Sequence, residues 1–403
     1  MTFTMRDNTE SLRRNYTALE IILNKDSLLE PLFRERKGVG DIDAVRRKWS
    51  ELHTIMEAKE KPKISESKLK EMWDELYEEA LRIPNMSHPD VPKGGMEHAK
   101  KVATWGEKRE GPCLTAEKLV QSWRTLFFPT DAAGERSYAF VGALANLERA
   151  LLEYVFDRVS VLDFKPVSVP DLVPKEITEA CGVTQHSQKE ILYCLRDEPH
   201  IALSGTAEMG ISAMLKGRTF QEEELPLRLV ALSRCYRPEI SNSAVEAKLY
   251  RVHEFNKIEM YVICTPEQSD GELNYLVEIQ RGTFESFGLH SWCGSRSESG
   301  HRGVDKARLV PGFQLAGAGL LSSLIISCYN HRSDIRYNAK SGEKKFVHTC
   351  NGTAVASTRA LISILETFQT ERKSLDNLPD VIRQRLKTVR PPPIKLQQAK
   401  PLA

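Results

Sequence analysis

Arginines in strand-like segments are the natural starting point, because a guanidinium keeps its charge and must be paired or solvated wherever it sits. Arg237 lies in Cys235-Tyr236-Arg237-Pro238-Glu239, with Glu239 two residues on and on the same strand face. Arg251 opens the run RVHEFNKIE, in which Arg251, His253, Phe255, Lys257 and Glu259 alternate onto one face. Arg359 is placed about two turns into a helix that follows Asn351-Gly352-Thr353. Antiparallel strands joined by a loop, each carrying charge on one face, would form the floor of a polar pocket. Such a floor can hold phosphates against arginine and an amino group against a carboxylate. Taken singly, each pair is equally well a surface salt bridge. Catalysis needs the whole set together.

The elements that must position this set follow from periodicity. Val45, Trp49, Leu52 and Met56 form one helical stripe, and Leu69, Met72 or Trp73, Leu76 and Ala80 form a second after Lys61-Pro62-Lys63. A short link between two such helices predicts an antiparallel hairpin. The hairpin segment 41–85 carries 9 Lys/Arg against 11 Asp/Glu, so it lacks the basic face of a nucleic-acid arm. Pro84 to Gly95 reads as a linker. Leu147, Leu151 and Tyr154 or Val155 mark a strong helix over 144–156, followed by a strand at 164–169. Strands are expected at 227–232, 257–263 and 346–349, and a helix with Leu361, Ile364, Leu365 and Phe368 on one side closes the series. Helices first and many non-sequential strands afterwards predict an α+β fold with an antiparallel sheet, preceded by an N-terminal helical hairpin. The expected divisions are 1–95, an N-terminal helical domain; 96–385, the α+β domain; and 386–403, a basic, proline-containing tail. The wider segment 371–403 holds 8 Lys/Arg against 3 Asp/Glu, which suits a solvated tail or a contact to RNA or an acidic partner.

Composition narrows the class. The 403 residues are 41% hydrophobic and 28% charged with a formal net charge of +2, as in a globular chain and unlike a histone-like binder. No apolar run is long enough for a membrane span, so membrane insertion is not expected. Eight cysteines without a Cys-x-x-Cys pair predict reduced thiols, several in core strands, rather than a zinc site or a disulfide scaffold. The first ten residues read as neither a secretory signal nor an organellar leader, and composition does not give a compartment.

The ordered segments resemble the three motifs of class II aminoacyl-tRNA synthetases, and their surroundings are similar to seryl-tRNA synthetase. Leu147 to Pro170 resembles motif 1, the dimer-forming helix and strand; Gly205-Thr206-Ala207-Glu208 resembles the T-x-E loop; 235–259 resembles motif 2 and 350–369 motif 3. The resemblance implies that Arg237 and Arg359 grip ATP phosphates, with Arg251 assisting. It implies that Phe255 stacks on adenine and Glu239 holds its amino group. Thr206 and Glu208 would take the serine ammonium, and Glu259 the serine hydroxyl.

The sequence also departs from that pattern. Counting back from 327–337 puts Ala318 where the family has a magnesium-binding Glu, and Leu321 where it has a Ser. Neither side chain offers oxygen to a hard cation. Ala307 replaces a strand carboxylate, the loop 243–248 is one residue short, and 291–303 reads as a Gly/Ser/Arg-rich loop. These departures lead to the expectation of a non-catalytic paralogue, most similar to seryl-tRNA synthetase-like insect mitochondrial proteins. Its ATP and serine pocket would be vestigial, with no metal and with ATP and magnesium binding weak or absent. The resemblance places it in the mitochondrial matrix, as a heterodimer with mitochondrial seryl-tRNA synthetase or a homodimer, contacting tRNA or other RNA. The alternative expectation is an active, divergent mitochondrial enzyme that forms seryl-adenylate and charges serine tRNA.

Overall fold

The computed structural model describes residues 41–57, 64–80, 100–111, 114–122, 126–127, 134, 136–181, 192–239, 248–295, 304–311, 321–326, 333–370 and 377–389. Two helices come first, α1 (Ile42–Glu57) and α2 (Glu66–Ala80). They close on Val45, Leu52, Trp73 and Leu76, with Trp49 edge-on to Trp73 and Lys48 paired to Glu75 at 2.7 Å. The apolar stripes thus meet as a helical hairpin. Met56 is the exception, standing at the last turn and half exposed.

The centre of the molecule is an eight-stranded sheet. Its strands are β1 (Lys100–Trp105), β2 (Lys165–Val167), β3 (Leu227–Tyr236), β4 (Glu254–Cys264), β5 (Ser291–Ser295), β6 (Val304–Pro311), β7 (Leu321–Ile326) and β8 (His348–Ala356). Their order is β1-β5-β6-β7-β8-β4-β3-β2, with only the β2–β3 edge pair parallel. Helices α3 (Ala143–Ser160), α4 (Ala207–Leu215), α5 (Ser269–Ser286), α6 (Ser357–Phe368) and α7 (Asp380–Val389) complete the frame. This is the mixed, open antiparallel architecture expected, preceded by helices.

Side-chain parity along the strands divides the core in two. On one face of the sheet, Val230, Ile258, Met260, Val262 and Cys350 pack against Leu147, Leu151 and Val155 of α3, Leu273 and Leu276 of α5, and Leu361 and Ile364 of α6. On the other face, Leu229, Ala231, Tyr261 and Ile263 pack against Ala207, Ile211 and Leu215 of α4. Helix α4 lies close to the chain: a Cβ at Gly210 would come within 2.7 Å of Val169 Cβ, so only glycine permits this approach. Cys235, Cys264 and Cys350 are free and buried in β3, β4 and β8, as their spacing suggested.

Three local expectations change. Asn351-Gly352-Thr353 is not a connection but the middle of β8, since Gly352 pairs with Met260 and Thr353 with Glu259. Ladder pairing on a buried strand outweighs the turn preference of Asn-Gly. Arg359 consequently falls in the first turn of α6 rather than two turns in. Ser291–Ser295, read as loop, forms β5 between β1 and β6, while 296–303 lies outside the described residues. Within 371–403, α7 packs Ile382 and Leu386 into the main core and pairs Arg385 with Asp157 at 2.6 Å. Residues 390–403 lie outside the described ones.

Candidate functional site

The site is built on the α4 face of the sheet. Phe255, Lys257 and Glu259 point there from β4, on the same parity as Tyr261 and Ile263 below them. Across the β4–β8 ladder, Thr353 stands opposite Glu259 and Asn351 opposite Tyr261. Across the β3–β4 ladder, Cys235 stands opposite Phe255, and Arg237 continues that row beyond the strand end, its backbone N–H donating to His253 O. The start of α4 closes the face. Thr206 is its N-cap, accepting from the Glu208 N–H at 3.4 Å through Oγ1.

The floor is a buried acid–base cluster. Lys257 Nζ lies 2.5 Å from Glu259 Oε2 and donates to Thr206 Oγ1 at 2.7 Å. Thr353 Oγ1 donates to Glu259 at 3.1 Å. Asn351 Nδ2 donates to Glu208 at 2.9 Å and reaches Glu259 at 3.4 Å. Two acceptors in this cluster, Glu208 Oε1 and Asn351 Oδ1, have no hydrogen-bond partner among the described residues. Burial, and then the charge of Glu259, push the Glu208 carboxyl up to about 8, while Lys257 opposes the shift. A pair of buried, unsatisfied acceptors beside an acid is a receptor for a donor-rich cation.

Above the floor, arginines converge. The Arg237 guanidinium lies 5.3 Å over the Phe255 ring and Arg237 Nη2 reaches Gly205 O at 3.4 Å. Arg359 lies 5.0 Å over the Tyr250 ring. Desolvation lowers the pKa of Arg359 from its ordinary value, and the positive charges of Arg237 and Arg251 add to that lowering. Arg251 pairs with Glu239 at 3.2 Å. Glu239 has φ 44°, a left-handed conformation that aims its carboxylate back at Arg251 instead of along the strand face. At the rim, Tyr193 Oη lies 2.8 Å from His253 Nδ1. Like charges held together with little water favour an anion between them.

The structure therefore brings together Thr206, Glu208 and Glu259 in one floor, and Arg237, Glu239, Arg251, Phe255 and Arg359 around its mouth. Phe255 is half-buried under Arg237 rather than lost in the core. Sequence reasoning gave no role to Lys257, Asn351, Thr353 or Tyr250. Alternation along β8 would have found Asn351 and Thr353 had the segment been read as strand, and Lys257 already stood in the alternating row. Ala318 lies outside the described residues. Leu321 opens β7 opposite Leu309, and its side chain is not among those described.

The residues 193–368 match the family model described as "tRNA synthetase class II core domain (G, H, P, S and T)". The chain is 32% identical over 322 residues to the mitochondrial serine–tRNA ligase of Mus musculus, covering 76% of this chain and 61% of the relative. With the serine–tRNA ligase of Treponema denticola it is 31% identical over 339 residues, covering 80% of this chain and 79% of the relative. The chain thus spans about three fifths of the length of the mammalian mitochondrial relatives. Among solved structures, seryl-tRNA synthetase from Pyrococcus horikoshii complexed with ATP has a TM-score of 0.72 at 21% identity, covering 95% of this chain and 97% of that one. Cytoplasmic serine–tRNA ligase from Naegleria fowleri in complex with AMP has a TM-score of 0.73 at 23% identity, covering 94% and 93%.

These findings overturn the expectation of a non-catalytic paralogue with a vestigial pocket. The class II core is matched across 193–368, and its acid–base floor and arginine mouth are assembled rather than dispersed. The inference of a dead enzyme rested on losses counted at two positions, of which Ala318 lies outside the described residues and Leu321 has no described side chain, whereas the polar network of the matched core is organised. The expectation that ATP and magnesium binding is weak or absent falls with it, since two relatives of this fold are complexed with ATP and AMP. The resemblance to inactive mitochondrial proteins in particular has no support beyond the family itself. By its sequence match and its fold, the chain belongs to the class II serine–tRNA ligase family.

Proposed function

We propose that this protein activates serine with ATP to form seryl-adenylate and then esterifies the terminal adenosine of serine tRNA. The carrying observation is the pairing of two open acceptors, Glu208 Oε1 and Asn351 Oδ1, with arginines converging above them. A molecule that is cationic at one end and is being joined to phosphate at the other matches that polarity.

In this reading the serine ammonium enters against Glu208 and Thr206, and its hydroxyl donates to Glu259. Phe255 receives the adenine ring, and Glu239, held by Arg251, receives its amino group. A serine carboxylate oxygen attacks the α-phosphorus; the bond to the bridging oxygen breaks and pyrophosphate leaves. Arg237 and Arg359 bind the charge that grows on the phosphate oxygens, with Arg251 assisting. The ribose hydroxyl of the tRNA then attacks the seryl carbonyl and AMP departs. Among the described residues, no group of three or more acidic, His or Cys side chains is placed to hold a metal ion, and no step here is routed through one.

The same reading extends to a dimer of identical chains formed through α3 and β2, to serine tRNA as the RNA partner, and to the mitochondrial matrix, the last supported by the mouse and bovine relatives. A heterodimer with a separate mitochondrial seryl-tRNA synthetase is the other pairing; light scattering of the purified chain and co-purification from the organelle separate them. No helix among the described residues is long and apolar enough to cross a membrane. The test of the full reaction is charging of a serine tRNA transcript with labelled serine. Accumulation of seryl-tRNA is expected, and adenylate formation without any transfer would remove the second half of the proposal.

A proton accompanies serine. The Glu208 carboxyl is raised from 4.5 to about 8, so at neutral pH the free pocket holds a proton that an incoming ammonium must displace. Serine binding then tightens as pH rises toward about 8 and levels off above it, releasing up to one proton at pH 7. Calorimetry in two buffers of different ionisation enthalpy measures that release, and Glu208→Gln should abolish it. For the free protein the sign is opposite. Because folding raises this acid's pKa, its contribution to stability is lost as pH climbs from 4.5 to about 8.

A further inference from the structure

Lys257 is the cation of the pocket floor that the proposed reaction leaves without a task. It is buried, projects from β4 on the face shared by Phe255 and Glu259, and ties Glu259 to the cap of α4 through Thr206. The two floor carboxylates are thereby sorted. Glu208 receives one neutral amide donor from Asn351 and keeps Oε1 open. Glu259 receives an ammonium from Lys257, the Thr353 hydroxyl and a longer contact from Asn351. One acid is left for a ligand cation, while the other has its charge already matched.

We propose that Lys257 determines amino-acid specificity: by occupying the cation position beside Glu259, it leaves that carboxylate able to accept from a neutral hydroxyl and closes it to a second ammonium. The inference rests on the serine-activation reading given above. Charge accounting supports it. Once the incoming ammonium has displaced the Glu208 proton, both glutamates are ionised, and with Lys257 in place the floor carries one net negative charge, which that single α-ammonium neutralises. A substrate with a cationic side chain would leave an unmatched buried charge, which a low-dielectric site penalises heavily. Without Lys257 the floor carries two negative charges, and a diammonium substrate would match it. Discrimination of this kind comes from repelling the wrong ligand as much as from holding the right one. The probe is 2,3-diaminopropionate, which is serine with an ammonium in place of the hydroxyl.

The experiment compares full-length wild type, K257Q and K257R in ATP–pyrophosphate exchange, with kcat and KM measured separately for serine and for 2,3-diaminopropionate. Glutamine keeps an amide donor toward Thr206 and Glu259 without the charge, and arginine keeps the charge. The ratio of kcat/KM for serine over diaminopropionate should fall at least about tenfold in K257Q, chiefly through KM, and stay within about threefold of wild type in K257R. A merely structural role would lower both substrates together and leave the ratio alone. The proposal is overturned if K257Q keeps the wild-type ratio, or if K257R loses it as fully as K257Q does. Should K257Q not fold, K257M takes its place, a ratio lowered about tenfold supporting the mechanism and an unchanged ratio overturning it, while a collapsed ratio in K257R contradicts the mechanism in either case. Absence of serine exchange in the wild type would instead sink the activation reading, so the two failures are distinct.

Discussion

Arg359→Ala should slow serine-dependent ATP–pyrophosphate exchange by roughly 10²–10³-fold, mainly in kcat, the scale of removing one charge-stabilising donor from a reacting centre. Arg359 sits in the first turn of α6, lies over the Tyr250 ring and is largely withdrawn from water. Arg237 and Arg251 repel it while Tyr250 and Glu239 oppose that repulsion, and burial leaves its charge in need of further compensation. That compensation comes from the phosphate oxygens, and most strongly when the bond to pyrophosphate is breaking. Removing the side chain therefore takes away stabilisation of the transition state together with its stacking on Tyr250 and a 3.4 Å hydrogen bond from Nε to Tyr250 O. The thermal midpoint should fall only modestly, because the lost contacts with Tyr250 are partly offset by relief of the repulsion from Arg237 and Arg251. A loss of exchange accompanied by a marked fall in midpoint would mean that Arg359 is structural. Retention of at least half the exchange rate would mean that it does not face the phosphates.

Glu259→Gln should combine a stability loss of about 3–5 kcal/mol with loss of serine use, since it removes one partner of a buried ion pair and strands the other. Glu259 is almost fully buried, 1% exposed, and once that carboxylate is neutral Lys257 keeps the Thr206 hydroxyl and the electrostatic influence of Glu208, neither of which replaces the direct ion pair. The stability and the function can be separated. Replacing Lys257 and Glu259 together by methionine removes both charges, and the double variant should recover much of the midpoint lost by Glu259→Gln. It should not recover serine activation, because the acceptor for the substrate hydroxyl is still missing. Denaturant melts give the first quantity and exchange kinetics the second. If the double variant regained activity along with stability, Glu259 would be holding the floor together rather than reading the substrate.

The parts of the site legible in the sequence are those where one periodicity dominates. Val45 to Leu52 and Leu147 to Val155 each show a single apolar stripe, and the helices form where that stripe predicts. The alternation from Phe255 to Glu259 was equally plain, since charged residues on every second position of an otherwise apolar strand have no use for the core. Asn351 and Thr353 were obscured by local chemistry: Asn-Gly favours a turn in isolation, and only the ladder to Met260 and Glu259 makes it strand. Tyr250 and Tyr193 carried no readable signal, because their positions depend on how segments far apart in the chain fold over the pocket. Glu239 was expected along a strand face, but β3 ends at Tyr236 and a left-handed turn redirects it. The inference of an inactive protein failed for a different reason. It weighed two apparent substitutions above the match to the class II core and a row of buried, mutually paired residues.

The most direct measurement is ATP–pyrophosphate exchange by the purified full-length chain, with serine as the only amino acid supplied. Exchange that requires serine, saturates with it and disappears in the Arg359→Ala variant is the predicted result. A cooperatively folded protein that shows no serine-dependent exchange at any concentration of serine, ATP and divalent cation would contradict the account.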